Sequence, residues 1–214
     1  MHQPNRRKFV FTLGALPLAL TACGGGSDTP IDSGGSGSGQ VSFSAKAMVD
    51  NVADNIITTT YSNLNTEAAK LLAAVQALDA ARTEANMDAA QAQWKATRVP
   101  WETSEAFLFG PVEALGIDPA IDSWPLNTPD LQDFLAANPN ATAGQIEAAS
   151  DDLRGFHAME YLLFGDGVAT NDKAAAALTA AEANYLVALV QAFKSRTQEL
   201  ASSWTTDFNG KGPY

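Results

Sequence analysis

Helical patterning is the feature of this sequence that most restricts its fold. From about Ser42 onward the chain is rich in alanine, and apolar side chains recur at close to helical spacing at Met48, Val52, Ile56 and Leu64. No stretch alternates apolar and polar residues in the way that a half-buried strand does. About four long helices and one short helix, joined mostly by short links, predict an all-α fold built as an up-and-down helical bundle.

Proline, glycine and polar residues mark the predicted helix ends. Pro100 lies inside the second long helix and is expected to kink or restart it, because proline removes a backbone hydrogen bond. Gly110 and Pro111 end that helix. Asn171 or Asp172 is expected to cap the last long helix at its N-terminus.

The N-terminus predicts an exported lipoprotein. Residues 1–22 combine a basic start, an apolar run from Phe9 to Leu20 and small residues, which is typical of a secretory signal peptide. The run is shorter than the roughly 20 residues that span a bilayer. The segment "LTAC" resembles a bacterial lipobox, in which cleavage leaves a lipid on Cys23, and Arg6 and Arg7 resemble a twin-arginine signal. The mature chain is expected to be tethered to a membrane of the bacterial cell envelope, facing the periplasm or the cell surface.

Composition divides the rest of the chain into a linker and a domain. Residues 23–40 are rich in glycine and serine and predict a flexible linker, and residues 41–214 predict one helical domain. The formal net charge is −11, with 24 acidic and 13 basic residues, and three of the basic residues lie in the signal peptide. Such acidity disfavours nucleic acid as a partner and favours cations, although it also serves solubility.

The histidine and cysteine content limits the metal chemistry. The chain has two histidines, of which His2 is lost with the signal peptide, so His157 is the only imidazole of the mature chain. The one cysteine, Cys23, is the predicted lipid attachment site. One chain therefore cannot build a two-histidine or cysteine-rich zinc site. A site of one histidine with carboxylates suits iron or manganese, with calcium as a further candidate, better than structural zinc.

His157 and Glu160 are the first candidate ligands. Residues three positions apart share a helix face, so these two side chains can reach one ion. Gly155 lies nearby, although glycine disfavours a helix. A glycine at this position would leave space for another backbone or a ligand to approach. The alternative interpretation is a core histidine that is hydrogen-bonded to its own helix neighbour.

A second group of candidates follows Trp94 in the second long helix. Arg98, Trp101 and Glu105 share a stripe at helical spacing, and Glu102 lies four residues after Arg98. In one interpretation Arg98 and Glu102 form an ordinary helix ion pair and the tryptophans belong to the core. In the other, Glu102 or Glu105 faces the histidine across the bundle and completes a cation site.

A rigid loop supplies a further candidate ligand. Asp122 lies beside Trp124 in the segment "IDSWPLN", and local turn hydrogen bonds are its alternative role. The sequence contains no phosphate-binding glycine loop, no G-x-S-x-G nucleophile motif and no basic patch.

Three segments together resemble the imelysin-like family, over roughly residues 45 to 210. They are the G-x-H-x-x-E signature "GFHAME" at 155–160, the segment from Trp94 to Pro111, and "DSWPL" at 122–126. The resemblance implies an all-helical fold of two related bundle halves with the signature near a cleft between them, of which this chain has room for the N-terminal half. It also implies an association with iron uptake or metal binding, in a family whose founding member is described as an insulin-cleaving membrane protease.

Three functions are consistent with these features. The first is a lipid-tethered envelope protein in iron uptake or homeostasis that binds a metal ion or a metal-bearing ligand through His157, Glu160 and an acid of the 102–105 segment. Iron is the expected metal, with manganese, calcium and zinc as alternatives, and another envelope protein of an uptake system is a candidate partner. The second is a metallopeptidase with Glu160 as base or ligand. One histidine is few ligands for a catalytic metal, which disfavours this function. The third is a helical interaction module without a metal.

Overall fold

The structure is a computed structural model that describes residues 44–167 and 173–214, and the regular secondary structure of these residues is entirely helical. The predicted all-α class is therefore confirmed. The predicted signal peptide, the linker and Cys23 lie outside the described residues. None of the described helices is both long enough and apolar enough to cross a bilayer.

The described α-helices are numbered α1 to α9 along the chain. They are Ala45–Asn51, Thr58–Ala80, Glu84–Ser104, Pro111–Ala114, Ile117–Asp122, Thr128–Ala137, Ala143–Glu147, Gly155–Phe164 and Ala180–Thr205. A π-helical segment, Val52–Ile57, joins α1 to α2. Short 3₁₀ turns are formed by Glu105–Phe107, Asp151–Leu153 and Ala175–Ala177.

The core is built around α2, which packs against both α3 and α9. Leu64, Leu71 and Leu78 of α2 are fully buried, and their seven-residue spacing keeps them on one face of the helix. The buried hydroxyl of Tyr61, also on α2, donates a hydrogen bond to the carbonyl oxygen of Phe107 at 3.2 Å. These three long helices form the frame on which the shorter helices α4 to α8 are held.

The first predicted apolar stripe only partly enters this core. Met48 and Ile56 are 49% and 44% exposed, and the fully buried positions begin near Tyr61. No residue of α1 is buried on any face, so the stripe reaches the core only from Ile57 onward. Met48 and Val52 instead line an apolar groove with Phe109 and Tyr214.

Two predicted features of the long helices differ in the structure. Helix α3 continues through Pro100 to Ser104, so the helix does not restart at the proline, and a kink there stays a prediction. Helix α9 begins at Ala180, because Thr179 and Glu182 form a capping box: the hydroxyl of Thr179 accepts the backbone N–H of Glu182, and the Glu182 carboxylate accepts the N–H of Thr179. The predicted cap at positions 171 and 172 lies outside the described residues and is too early for this helix.

Residues 143–164 form three short elements, α7, a 3₁₀ turn and α8, and not one continuous helix. Gly155 has a φ of 81°, which is incompatible with an uninterrupted α-helix through this point. Just before it, Arg154 donates hydrogen bonds to the Asp151 carboxylate and to the carbonyl oxygen of Glu147. This break allows α8 to start in a new direction, beside the end of α5.

Candidate functional site

The candidate site lies where α3, α5 and α8 meet, and Gly155 allows the last two to approach. A Cβ atom at this position would lie 2.4 Å from the carbonyl oxygen of Ile121 in α5. Only a residue without a side chain fits unless the backbone moves. The expectation that another backbone approaches Gly155 is therefore confirmed.

The carboxylate of Asp122, the residue after Ile121, joins the three helices. Its Oδ2 accepts a hydrogen bond from Trp101 Nε1 at 2.6 Å, and its Oδ1 forms an ion pair with Arg98. The same Oδ1 lies 3.3 Å from Nε2 of His157. The Asp122 side chain is only 10% exposed, and a charge with so little access to water requires such partners.

His157 lies between two carboxylates that face different ring nitrogens. Nε2 faces Asp122, and Nδ1 lies 3.1 Å from Oε2 of Glu160. A neutral imidazole donates from one nitrogen and presents a lone pair at the other. Because the two carboxylates face different nitrogens of the ring, an ion bound at one nitrogen reaches only the carboxylate on that side. Only one of Asp122 and Glu160 can therefore share an ion with His157.

The contact between His157 and Glu160 has the dimensions of two adjacent metal ligands. Metal–nitrogen and metal–oxygen bonds of about 2.1 Å at a right angle place the two ligand atoms about 3 Å apart. The observed separation of Nδ1 and Oε2 is 3.1 Å. The Glu160 side chain is 42% exposed, so an ion can reach this position from solvent. The same 3.1 Å is also an ordinary hydrogen-bond distance, so the contact is compatible both with a metal site and with a histidine hydrogen-bonded to its helix neighbour.

The structure does not bring all five predicted ligands together. Glu102 forms an ion pair with Arg98 on its own helix, with Oε1 2.5 Å from Nε. Glu105, the first residue after α3, is exposed and forms no part of the cluster around His157. Within residues 44–167 and 173–214, no group of three or more His, Cys, Asp and Glu side chains is arranged to hold an ion.

A pocket of about 390 Å³ opens beside the histidine and glutamate pair. Trp124 forms one wall and packs its ring against His157, with the ring centroids 4.7 Å apart. Leu126, Tyr161 and Phe164 also line the pocket. These three residues were not predicted as site residues, because apolar and aromatic side chains in a helical protein usually belong to the core.

Comparison with known protein families supports the helical fold, and the match includes the three segments that form the candidate site. The Imelysin family (Peptidase M75) matches residues 57–212 of the chain. This chain belongs to the imelysin family. Iron-regulated protein A of Synechococcus elongatus is 31% identical to this imelysin-family chain over 199 residues, which cover 92% of the chain and 51% of the relative.

Two solved structures share the imelysin fold of this chain. A candidate iron-regulated protein A precursor from Parabacteroides distasonis superposes with a TM-score of 0.68 and 30% identity, covering 78% of this chain and 48% of that one. An imelysin-like protein from Psychrobacter arcticum superposes with a TM-score of 0.65 and 20% identity, covering 74% and 49%. The chain thus spans about half the length of these relatives.

Proposed function

We propose that this imelysin-family chain is a lipid-anchored protein of the bacterial cell envelope that binds a metal ion, with iron as the expected metal, in iron uptake or homeostasis. The observation that carries the proposal is the position of His157, whose Nδ1 lies 3.1 Å from the Glu160 carboxylate while its Nε2 lies against Asp122.

The three side chains have different roles in this proposal. His157 and Glu160 are the ligands, and they supply one nitrogen and one carboxylate oxygen, a combination that suits iron or manganese. The negative charge of Asp122, 3.3 Å from Nε2, favours the tautomer with its proton on Nε2 and so leaves the lone pair of Nδ1 for the ion, as carboxylates next to metal-bound histidines commonly do. Binding is proposed rather than peptide hydrolysis, since hydrolytic zinc sites use three protein ligands and this part of the described chain supplies two.

Iron is proposed because two relatives are named for iron regulation. The envelope location is proposed from the signal peptide, the lipobox-like segment ending at Cys23 and the glycine-rich linker. The acidic surface of the chain also favours cations over anionic partners. Another envelope protein of an uptake system stays a candidate partner.

Titration calorimetry of the protein with ferrous ion under anaerobic conditions, and separately with manganese, calcium and zinc, tests the proposal. We expect one ion per chain, with binding abolished in His157→Ala and reduced at least tenfold in Glu160→Gln. Glu102→Gln is the matched control, since Glu102 is a nearby glutamate that pairs with Arg98, and its affinity should stay within about twofold of wild type. Absent binding, or binding that survives His157→Ala, contradicts the proposal.

Membrane attachment has a separate test. The full chain expressed in bacteria should sediment with membranes and incorporate a labelled fatty acid, and Cys23→Ala should lose both properties. A Cys23→Ala protein that is still acylated and membrane-bound would show that the lipid is attached elsewhere.

A further inference from the structure

His157 and Glu160 together fill only part of the coordination sphere of a metal ion, so other ligands must fill the remaining positions. His157 and Glu160 supply two adjacent positions, and no third His, Cys, Asp or Glu joins them among the described residues. Iron and manganese prefer an octahedral set of ligands, so several positions stay open. A bare ion would fill these positions with water, and the protein would then hold it by only two bonds.

The adjoining pocket is larger than an aqueous ion needs. Its volume is about 390 Å³. A water molecule takes up about 30 Å³ in the liquid, whereas sites for small organic ligands usually measure about 300–1,000 Å³. The pocket therefore has room for an organic ligand on the open side of the metal position.

Trp124 gives this pocket an aromatic wall. Its side chain is 71% exposed, the largest value among the exposed large apolar residues of the described chain. The ring packs against the imidazole of His157, so the aromatic surface lies directly beside the proposed metal position. Tryptophan is usually well buried, and an exposed indole at the edge of a pocket is suited to stacking on a planar ligand.

The charges around the metal position select the kind of ligand. Glu160 and Asp166 line the pocket, and Asp122 and Glu102 lie close by. Against these four carboxylates stand two cations of the described chain: Arg98, which pairs with Asp122 and Glu102, and Lys95, which lies over the ring of Phe164. A strongly anionic complex, such as one formed by a tricarboxylate, would be repelled by this excess of negative charge. A neutral or cationic complex is favoured.

We infer that the site takes the metal as a chelate: a neutral or cationic complex of one ion with one small planar aromatic chelator, whose ring stacks on Trp124 while His157 Nδ1 and Glu160 occupy two adjacent positions on the metal. The inference rests on the metal binding proposed above. Binding is a ligand exchange, in which two water molecules leave the ion as the imidazole and the carboxylate attach. A complex whose chelators already fill every position does not bind, because it offers the protein no exchangeable water.

Titration calorimetry with three probes tests this inference: Ni²⁺ alone, Ni²⁺ with one equivalent of bipyridine, and bipyridine alone. Ni²⁺ is bound well by imidazole and is not oxidised in air. With the wild-type protein, the one-to-one nickel–bipyridine complex should bind about tenfold more tightly than Ni²⁺ alone, and bipyridine alone should bind far more weakly than either.

Substitutions at Trp124 identify the source of the gain. Trp124→Ala should bring the ratio of the two affinities, complex over Ni²⁺ alone, down to about one, and Trp124→Phe should retain most of the advantage. The ratio is the readout because Trp124 also packs against His157. Phe109→Ala is the matched control, because Phe109 is a 47% exposed aromatic residue that lines the apolar groove beside α1 and not this pocket. It should behave as wild type.

The outcomes separate this inference from the proposed function. If Ni²⁺ alone binds as tightly as the complex, the chelate is overturned and metal binding survives. A gain that persists in Trp124→Ala, or bipyridine that binds without metal as tightly as the complex, also overturns the chelate. If neither Ni²⁺ nor its complex binds, both proposals fail together.

Discussion

Asp122→Asn is the substitution that most directly tests the description of the site. The wild-type carboxylate accepts from Trp101 at one oxygen and contacts Arg98 and His157 at the other. An asparagine has the same shape but replaces one acceptor oxygen with an NH₂ donor. Whichever way the amide is turned, its NH₂ faces another donor, either the indole N–H of Trp101 or the guanidinium of Arg98.

The expected cost of this substitution follows from burial. Trp101 is fully buried, so its N–H cannot turn to water if it loses its acceptor, and an unpaired buried donor costs about 1–3 kcal/mol. Arg98 loses a partly buried ion pair but keeps Glu102 as a partner, which limits that contribution to about 1 kcal/mol. The amide can turn so that only one of the two donors loses its acceptor, so the two costs do not both apply in full. The free energy of unfolding should fall by about 1–3 kcal/mol, and the melting temperature by about 2–12 °C for a domain of this size.

Urea denaturation followed by circular dichroism measures this change, and Asp118→Asn provides the matched control. Asp118 is on the same helix, α5, one turn earlier, and it is exposed. Partial desolvation and the negative charge of Asp122 raise the pKa of Asp118, so its charge does not stabilise the fold at neutral pH. Its substitution should change stability by less than about 0.5 kcal/mol. An Asp122→Asn protein that is as stable as the Asp118→Asn control, within about 0.5 kcal/mol of wild type, would refute the reasoning that this carboxylate joins the three helices.

Two further predictions concern other parts of the fold. Gly155→Ala should destabilise the protein by about 3 kcal/mol or more, because its Cβ would overlap the carbonyl oxygen of Ile121. Gly144→Ala in α7 is the comparison: a Cβ there has open space, so this variant should be more stable than wild type by about 0.5–1 kcal/mol. Thermal denaturation measures the stability of both variants. Burial raises the pKa of Tyr61 to about 12, so between pH 10 and 12 the unfolded chain loses a phenol proton that the folded chain keeps. Stability should therefore fall as the pH rises through this window, and Tyr61→Phe should show a shallower fall in urea denaturation.

Helical periodicity was sufficient to predict the fold class, and the resemblance to the imelysin-like family located the segments that build the site. Hydrophobic spacing located the long helices, and the three segments that resembled the imelysin-like family are the ones that meet around Asp122. Spacing within a helix also predicted the ion pair between Arg98 and Glu102 and the contact between His157 and Glu160. These are local relations, and a regular helix fixes them once its residues are known.

Relations that depend on where helices end could not be read from the sequence. The prediction that Glu105 shares a stripe with Arg98 assumed a helix that continues past Ser104, and α3 ends there. The spacing of Met48 similarly fits a buried stripe, but no residue of α1 is buried. In both cases the apolar or charged pattern continues along the chain beyond the part of the helix that packs in the core, and no single residue in the sequence marks that limit.

The role of Asp122 shows how the G-x-H motif and the Asp-Ser-Trp segment depend on each other. Gly155 contacts the backbone of Ile121, and the residues that follow the two contact points, His157 and Asp122, then meet through Nε2 and Oδ1. The glycine thus sets the distance across which the carboxylate orients the imidazole. If that is so, Gly155→Ala should weaken metal binding even in molecules that stay folded, because a displaced α5 carries Asp122 away and leaves His157 free to turn. Glycine and aspartate would then act on the metal without touching it, through the single imidazole that both of them position.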